Sequence, residues 1–224
     1  MRTVVLVHPP LLGPVSLRPV ADVLEAAGHA VVLPDLRFAV SPPAGWWDRA
    51  AQACVAAAGS VDLVVGFSGA GVLLPTVASR LPSVGSVVFL DAVLPAVSGE
   101  THPSDGIRSF VATLPIEDGL LPPWSRWWGD AIVELVPDAG RRELLQADEP
   151  RLPPDFWAEP VPVPAGWPVQ RAGYVRLSAA YDEQAAEAAR RGWPVRRLEG
   201  THLDPFVRPA EVVAAVLEVA EATS

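Results

Sequence analysis

Val64-Val65-Gly66-Phe67-Ser68-Gly69-Ala70-Gly71 carries an unbroken apolar stretch directly into small residues around a serine. An apolar run without alternation fits a strand buried on both faces, as in a parallel sheet. The small residues after it fit a tight strand-to-helix turn that lifts the serine hydroxyl above the sheet edge, with the helix N-terminus facing the same point. A glycine-rich turn with a capping serine leaves the same local trace. The surrounding chain therefore has to decide between them.

Outward from this turn, short β-branched runs alternate with helical patterns. Strands are expected at Thr3–Val7, Ala30–Leu33, Val61–Val65 and Ser86–Leu90, with helices at Leu17–Ala27, Pro42–Ala58 and Gly69–Leu81. Ser16 is a suitable N-cap for the first helix and Gly28 its stop. Alternation resumes with strands at Tyr174–Ser178 and Pro194–Leu198 and helices at Asp182–Arg191 and Pro209–Ala222. Such a pattern predicts an α/β fold: a mostly parallel sheet of about six strands with helices on both faces. Between Val93 and Ala172 it breaks, and that stretch holds 13 of the 25 prolines and five of the eight tryptophans. The chain thus divides into a core over residues 1–92 and 173–224 and an insertion over 93–172, after the fourth strand.

The 224 residues, half of them hydrophobic and 19% charged, suffice for one large core. A net charge of −9 argues against an electrostatically driven nucleic-acid binder. All 17 cations are arginine, which removes Schiff-base lysine chemistry, and Cys54 is the only cysteine, which removes an internal disulfide. The apolar start at Val4–Val7 is cut short by His8, Pro9 and Pro10, before it reaches the length of a secretory signal. No run approaches the ~18 apolar residues of a membrane helix. These features lead to the expectation of a soluble, cytoplasmic protein that makes no membrane contact.

A serine is a weak nucleophile until a base takes its proton. Among four histidines, His202 is the best base, because Leu198-Glu199-Gly200-Thr201-His202 places it just past the last strand. His29 falls on the opposite edge, His102 lies in the insertion, and His8 ends the first strand in a loop-shaping position. The acid that orients the imidazole is expected at Asp182, beyond the Tyr174–Ser178 strand, with Asp91 after Leu90 as the alternative. Helix capping and loop bonding are the plain structural roles for these two carboxylates.

Ser68, Asp182 and His202, in that order after successive strands, resemble the α/β-hydrolase superfamily. The resemblance spans nearly the whole chain and includes Leu33-Pro34-Asp35-Leu36-Arg37 and Val88-Phe89-Leu90-Asp91-Ala92. It is greatest to the compact esterase and hydroxynitrile-lyase branch, which implies that the insertion forms a lid over the serine. The resemblance also implies an oxyanion hole of two backbone N–H groups, one from Gly69 and one from the loop after the first strand. That loop reads His8-Pro9-Pro10-Leu11-Leu12-Gly13, and proline has no N–H. Leu11 is the expected second donor, with Leu12 as the other possibility. Loss of one donor costs about 10²–10³ in rate.

His8, Phe67, Trp124, Trp127 and Trp128 are the candidate pocket residues, although most such rings serve to hold an insertion onto its core. The expected function is a serine hydrolase acting through an acyl-enzyme on a small, largely apolar ester, thioester or lactone. The alternative is a lyase or cyclase on the same fold with His202 as general base. Neither a metal site nor a cofactor is expected, since no histidine pair has ligand spacing and the glycine cluster is neither a Walker loop nor a dinucleotide fingerprint. A small-molecule substrate is the expected partner, with a carrier protein or a second copy of the chain as further candidates.

Overall fold

The structure, a computed structural model, describes residues 1–167 and 171–223. Its first half runs β1 (Thr3–Val7), α1 (Arg18–Ala26), β2 (Ala30–Val32), α2 (Trp46–Ala56), β3 (Val61–Phe67), α3 (Leu74–Arg80) and β4 (Val84–Leu90). Five short elements follow: β5 (Gly99–Thr101), α4 (Asp105–Val111), α5 (Ala131–Leu135), α6 (Ala139–Ala147) and β6 (Val161–Val163). The last part runs β7 (Ala172–Arg176), α7 (Asp182–Arg190), β8 (Val195–Arg197), α8 (Asp204–Val207) and α9 (Pro209–Ala222).

Six strands form one sheet in the order β2-β1-β3-β4-β7-β8, and every neighbouring pair is parallel. This is the α/β architecture expected from the alternation. Successive residues of the central strands point to opposite faces, so each strand feeds two cores. Val5, Val64 and Phe89 pack under α2, α3 and α7, whereas Leu6, Val65 and Val88 pack under α1 and α9. The chain order reverses at β1, which pairs with β2 on one side and β3 on the other. In open α/β sheets ligands bind outside the C-terminal ends of the strands at such a reversal. The loops beginning at His8 and Ser68 leave the sheet there.

Two helices begin later than the sequence pattern suggests. The one expected from Pro42 starts at Trp46, after Gly45 at φ 71°. The one expected from Gly69 divides into a 3₁₀ turn, Ser68–Leu73, and then α3. Pro75 accounts for this, because a residue without an N–H fits only the first turn of an α-helix.

Gly71, inside that 3₁₀ turn, lies hard against the exit from β4: a Cβ there would sit 2.1 Å from the Val93 carbonyl oxygen. Because the obstacle is backbone, Gly71→Ala is expected to cost about 1–3 kcal/mol of stability. For a chain of this size that lowers Tm by roughly 2–4 °C per kcal/mol, which a thermal melt followed by circular dichroism will report. Among the described residues no helix is long and apolar enough to cross a membrane.

Candidate active site

Ser68 is the first residue after β3 and has φ 56°, a left-handed conformation that non-glycine residues rarely adopt. Its carbonyl accepts the Val93 N–H at 3.0 Å, which ties the turn to the chain leaving β4. Gly66 allows the close approach, since a Cβ there would lie 2.6 Å from the Leu74 side chain. The serine hydroxyl is left partly exposed at the sheet edge.

Asp91 is the first residue after β4 and is also left-handed, at φ 42°. Fully buried, its carboxylate accepts the Leu177 N–H at 2.8 Å, the Ser178 N–H at 3.1 Å and the Ser178 hydroxyl at 2.7 Å. Its fourth partner is His202 Nδ1, at 2.7 Å. His202 sits between β8 and α8, in a loop closed by Asp204, which accepts the Thr201 N–H at 3.1 Å and the Thr201 hydroxyl at 3.0 Å. Its other ring nitrogen, Nε2, lies 2.9 Å from Ser68 Oγ. Hydroxyl, imidazole and buried carboxylate therefore form one continuous hydrogen-bonded chain.

The sequence reading puts Asp182 behind His202, and the structure places Asp91 there instead. Asp182 opens α7 with its carboxylate turned outward, where it accepts from Arg176 Nε at 2.8 Å and Arg197 Nη1 at 2.9 Å. Arg176, and then Arg197, hold it below the usual carboxylate range. The cause of the misplacement is a 3₁₀ turn, Ala179–Tyr181, inserted between β7 and α7. It brings Tyr181, rather than Asp182, to the site.

No known protein-family model matches the chain, and no curated protein matches it in sequence. Solved structures do match in shape. An extracellular α/β-hydrolase from a Paenibacillus species, described as sharing structural and functional homology with tobacco salicylic acid binding protein 2, superposes over 96% of this chain and 99% of its own, with TM-score 0.72 and 17% identity. Tomato methylketone synthase I, bound to 2-tridecanone, covers 100% and 99% with TM-score 0.76 and 16% identity. A pyrethroid hydrolase from Sphingobium faniae covers 99% and 98% with TM-score 0.70 and 20% identity. The chain has the α/β-hydrolase fold.

In this α/β-hydrolase fold the loop after β1 matters next. Leu12 donates its N–H to the Pro9 carbonyl at 3.2 Å, which removes it as a free donor. The Leu11 N–H has no acceptor among the described residues, and neighbouring Pro10 comes within 3.4 Å of where a Cβ on Gly69 would stand. His8 is buried, and both its nitrogens are engaged: Nε2 accepts the Leu36 N–H at 2.8 Å and Nδ1 donates to the Pro9 carbonyl at 3.1 Å. Burial pushes its pKa down, so it is a neutral brace between two loops rather than an open pocket wall.

Three rings surround the His202 imidazole. Tyr181 stacks on it at 4.9 Å with planes 9° apart, Phe67 lies at 4.8 Å and Trp124 at 6.3 Å. Trp127 instead donates to the Pro122 carbonyl at 2.8 Å and packs on Phe110 and Trp157. Trp128 is 43% exposed and stacks on Phe110 at 5.7 Å. Tyr181 was not legible as a site residue, although it is one of only two tyrosines and directly precedes Asp182. The other, Tyr174, donates to the Ala92 carbonyl at 2.8 Å and accepts the Ala92 N–H at 2.9 Å, bracing the backbone beside Asp91.

Two consecutive carboxylates after α6 link the walls of the site. Asp148 accepts the Val15 N–H and an Arg37 N–H, each at 2.7 Å, which anchors the loop beyond Leu12. Glu149 accepts the Ser125 N–H at 3.1 Å and its hydroxyl at 2.9 Å, next to Trp124. Burial pushes Glu149 up from 4.5 to about 7, so the folded state favours its neutral form. Its contribution to stability is then full below pH 4.5 and is lost as pH rises through about 7. Thermal midpoints measured across that range should fall toward neutral pH, and Glu149→Gln should flatten the decline. Among the described residues no group of three or more histidine, cysteine, aspartate or glutamate side chains has metal-site geometry.

Proposed function

We propose that this chain is a serine hydrolase acting on a small, largely apolar ester, thioester or lactone. Ser68 Oγ attacks the carbonyl carbon as its proton passes to His202 Nε2, and the carbonyl π pair moves onto oxygen. Collapse of that tetrahedral species re-forms the carbonyl and expels the alcohol or thiol, which takes the proton back from His202. Water then attacks the acyl-Ser68 ester by the same route, releasing the acid. Asp91 holds Nδ1–H and stabilises the imidazolium; it replaces Asp182 in this role. Gly69 and Leu11 supply N–H groups to the oxyanion.

The observation that carries the reading is the chain Ser68 Oγ–His202 Nε2 at 2.9 Å and His202 Nδ1–Asp91 at 2.7 Å. Nucleophile, base and orienting acid are each within hydrogen-bond reach of the next. The aromatic surroundings of His202 favour an uncharged acyl group. In the same proposal residues 93–172 act as a lid, with Trp124 as the ring nearest the base.

The test is pre-steady-state hydrolysis of a p-nitrophenyl ester, together with labelling by a fluorophosphonate. A burst of one nitrophenolate per chain and a phosphonate on Ser68 are expected. Absence of both overturns the proposal. Incubation in ¹⁸O-water separates the alternative, because a lyase or cyclase using His202 alone puts no label into a carboxylic product.

A further inference from the structure

The Tyr181 hydroxyl lies 3.3 Å from Ser68 Oγ, and the direction of that hydrogen bond follows from the bonds beside it. The Asp91 carboxylate can only accept, so with a neutral imidazole Nδ1 carries the proton and Nε2 is a bare acceptor. Ser68 has a single proton, and it goes to Nε2. The Tyr181 O–H must therefore donate to Ser68 Oγ. No other hydrogen-bond partner of this hydroxyl occurs among the described residues.

We infer that Tyr181 is a catalytic residue that donates its hydroxyl proton in a hydrogen bond to the oxyanion of the tetrahedral intermediate; this rests on the acyl-enzyme reading above. During attack Oγ gives up electron density to the new C–O bond and becomes a poorer acceptor. The charge appears on the carbonyl oxygen, two bonds away from Oγ. A hydroxyl already beside Oγ can follow it without a large movement. Pro9 and Pro10 remove two backbone donors from the loop after β1, which leaves room for a side-chain donor in the hole.

The setting suits a donor. The Tyr181 ring lies flat against the His202 ring, which fixes its plane and puts a π face on the imidazolium as it forms. Burial pushes the phenol up to about 12, so the proton stays in place at any working pH. The bond is hydrogen bonding throughout, and no proton leaves Tyr181.

Tyr181→Phe keeps the ring and the stack and removes only the hydroxyl. With rates counted per site by active-site titration, kcat on a p-nitrophenyl ester is expected to fall about 10²-fold, with KM within about twofold. A small alkyl boronic acid, whose adduct with Ser68 carries an oxygen in the oxyanion position, should weaken by a similar factor. The unreactive amide of the same shape should bind as before. A merely structural tyrosine would move boronate and amide together, and that outcome, or a kcat within twofold of wild type, overturns the inference. Ser68→Ala separates this from failure of the hydrolase reading: if it abolishes the burst while Tyr181→Phe is unimpaired, the triad stands and the tyrosine donor falls.

Discussion

Ser68→Ala is expected to lower kcat on an activated ester by about 10⁶-fold, with the burst gone and KM rising toward the substrate Kd because no acyl-enzyme accumulates. The residual rate should be that supplied by substrate binding and the oxyanion donors, about 10³–10⁴ over water. A second consequence comes from the backbone. Ser68 is held at φ 56°, a conformation that costs a non-glycine residue of order 1–3 kcal/mol. Alanine carries the same Cβ penalty, so Ser68→Ala should melt close to wild type. Ser68→Gly removes the penalty and should be as inactive but more stable, by about 0.5–1 kcal/mol net of the chain entropy that glycine adds. A residue whose removal raises stability and abolishes turnover is kept for its side chain. If either variant keeps a burst, Ser68 is not the nucleophile; if the glycine variant is less stable than wild type, the left-handed conformation at Ser68 carries no net strain.

The sheet and the elbow were legible because their signals are local. The apolar run from Leu63 to Phe67 and the small residues at Gly66 and Gly71 are each decided within a few residues of themselves, whereas the 3₁₀ turn ahead of Pro75 was not read. His202 was legible because one loop, immediately after the last strand, could hold it. The acid was not, because Asp91 and Asp182 both follow strands at the same edge, and chain order favoured Asp182, whereas it is Asp91 that lies 2.7 Å from His202 Nδ1. What separates them is orientation. Asp91 turns inward through a left-handed residue to meet the Leu177 and Ser178 amides, contacts 86 and 87 residues away, whereas a three-residue 3₁₀ turn rotates Asp182 out to Arg176 and Arg197. Neither event leaves a pattern in a single sequence. Tyr181 was hidden by the same turn. The tryptophans between residues 93 and 172 were legible as a group, but only tertiary packing sorts Trp124, against His202, from Trp127, against Phe110.

Asp91→Asn is expected to cut kcat about 10⁴-fold, and Asp182→Asn to leave it within about twofold. An asparagine at 91 can still accept the Leu177 and Ser178 N–H groups through its carbonyl oxygen, so the fold loses little. The other end of the amide is the difficulty. Where a carboxylate oxygen now accepts from His202 Nδ1–H, at 2.7 Å, the variant presents an NH₂, and two donors cannot face each other. The imidazole is driven into the opposite tautomer, with the proton on Nε2, directly against Ser68 Oγ. A nitrogen that already carries a proton cannot take the serine's. The negative charge that stabilises the imidazolium in the transition state is lost as well. Asp182 stands outside this chain of bonds: its carboxylate is half-exposed, and its partners are two arginines that retain other acceptors or water when it is neutralised. The pair of variants therefore isolates the acid. Measured kcat/KM that falls for Asp182→Asn and survives Asp91→Asn would restore the assignment made from chain order, and would require the α7 terminus to rotate inward during turnover.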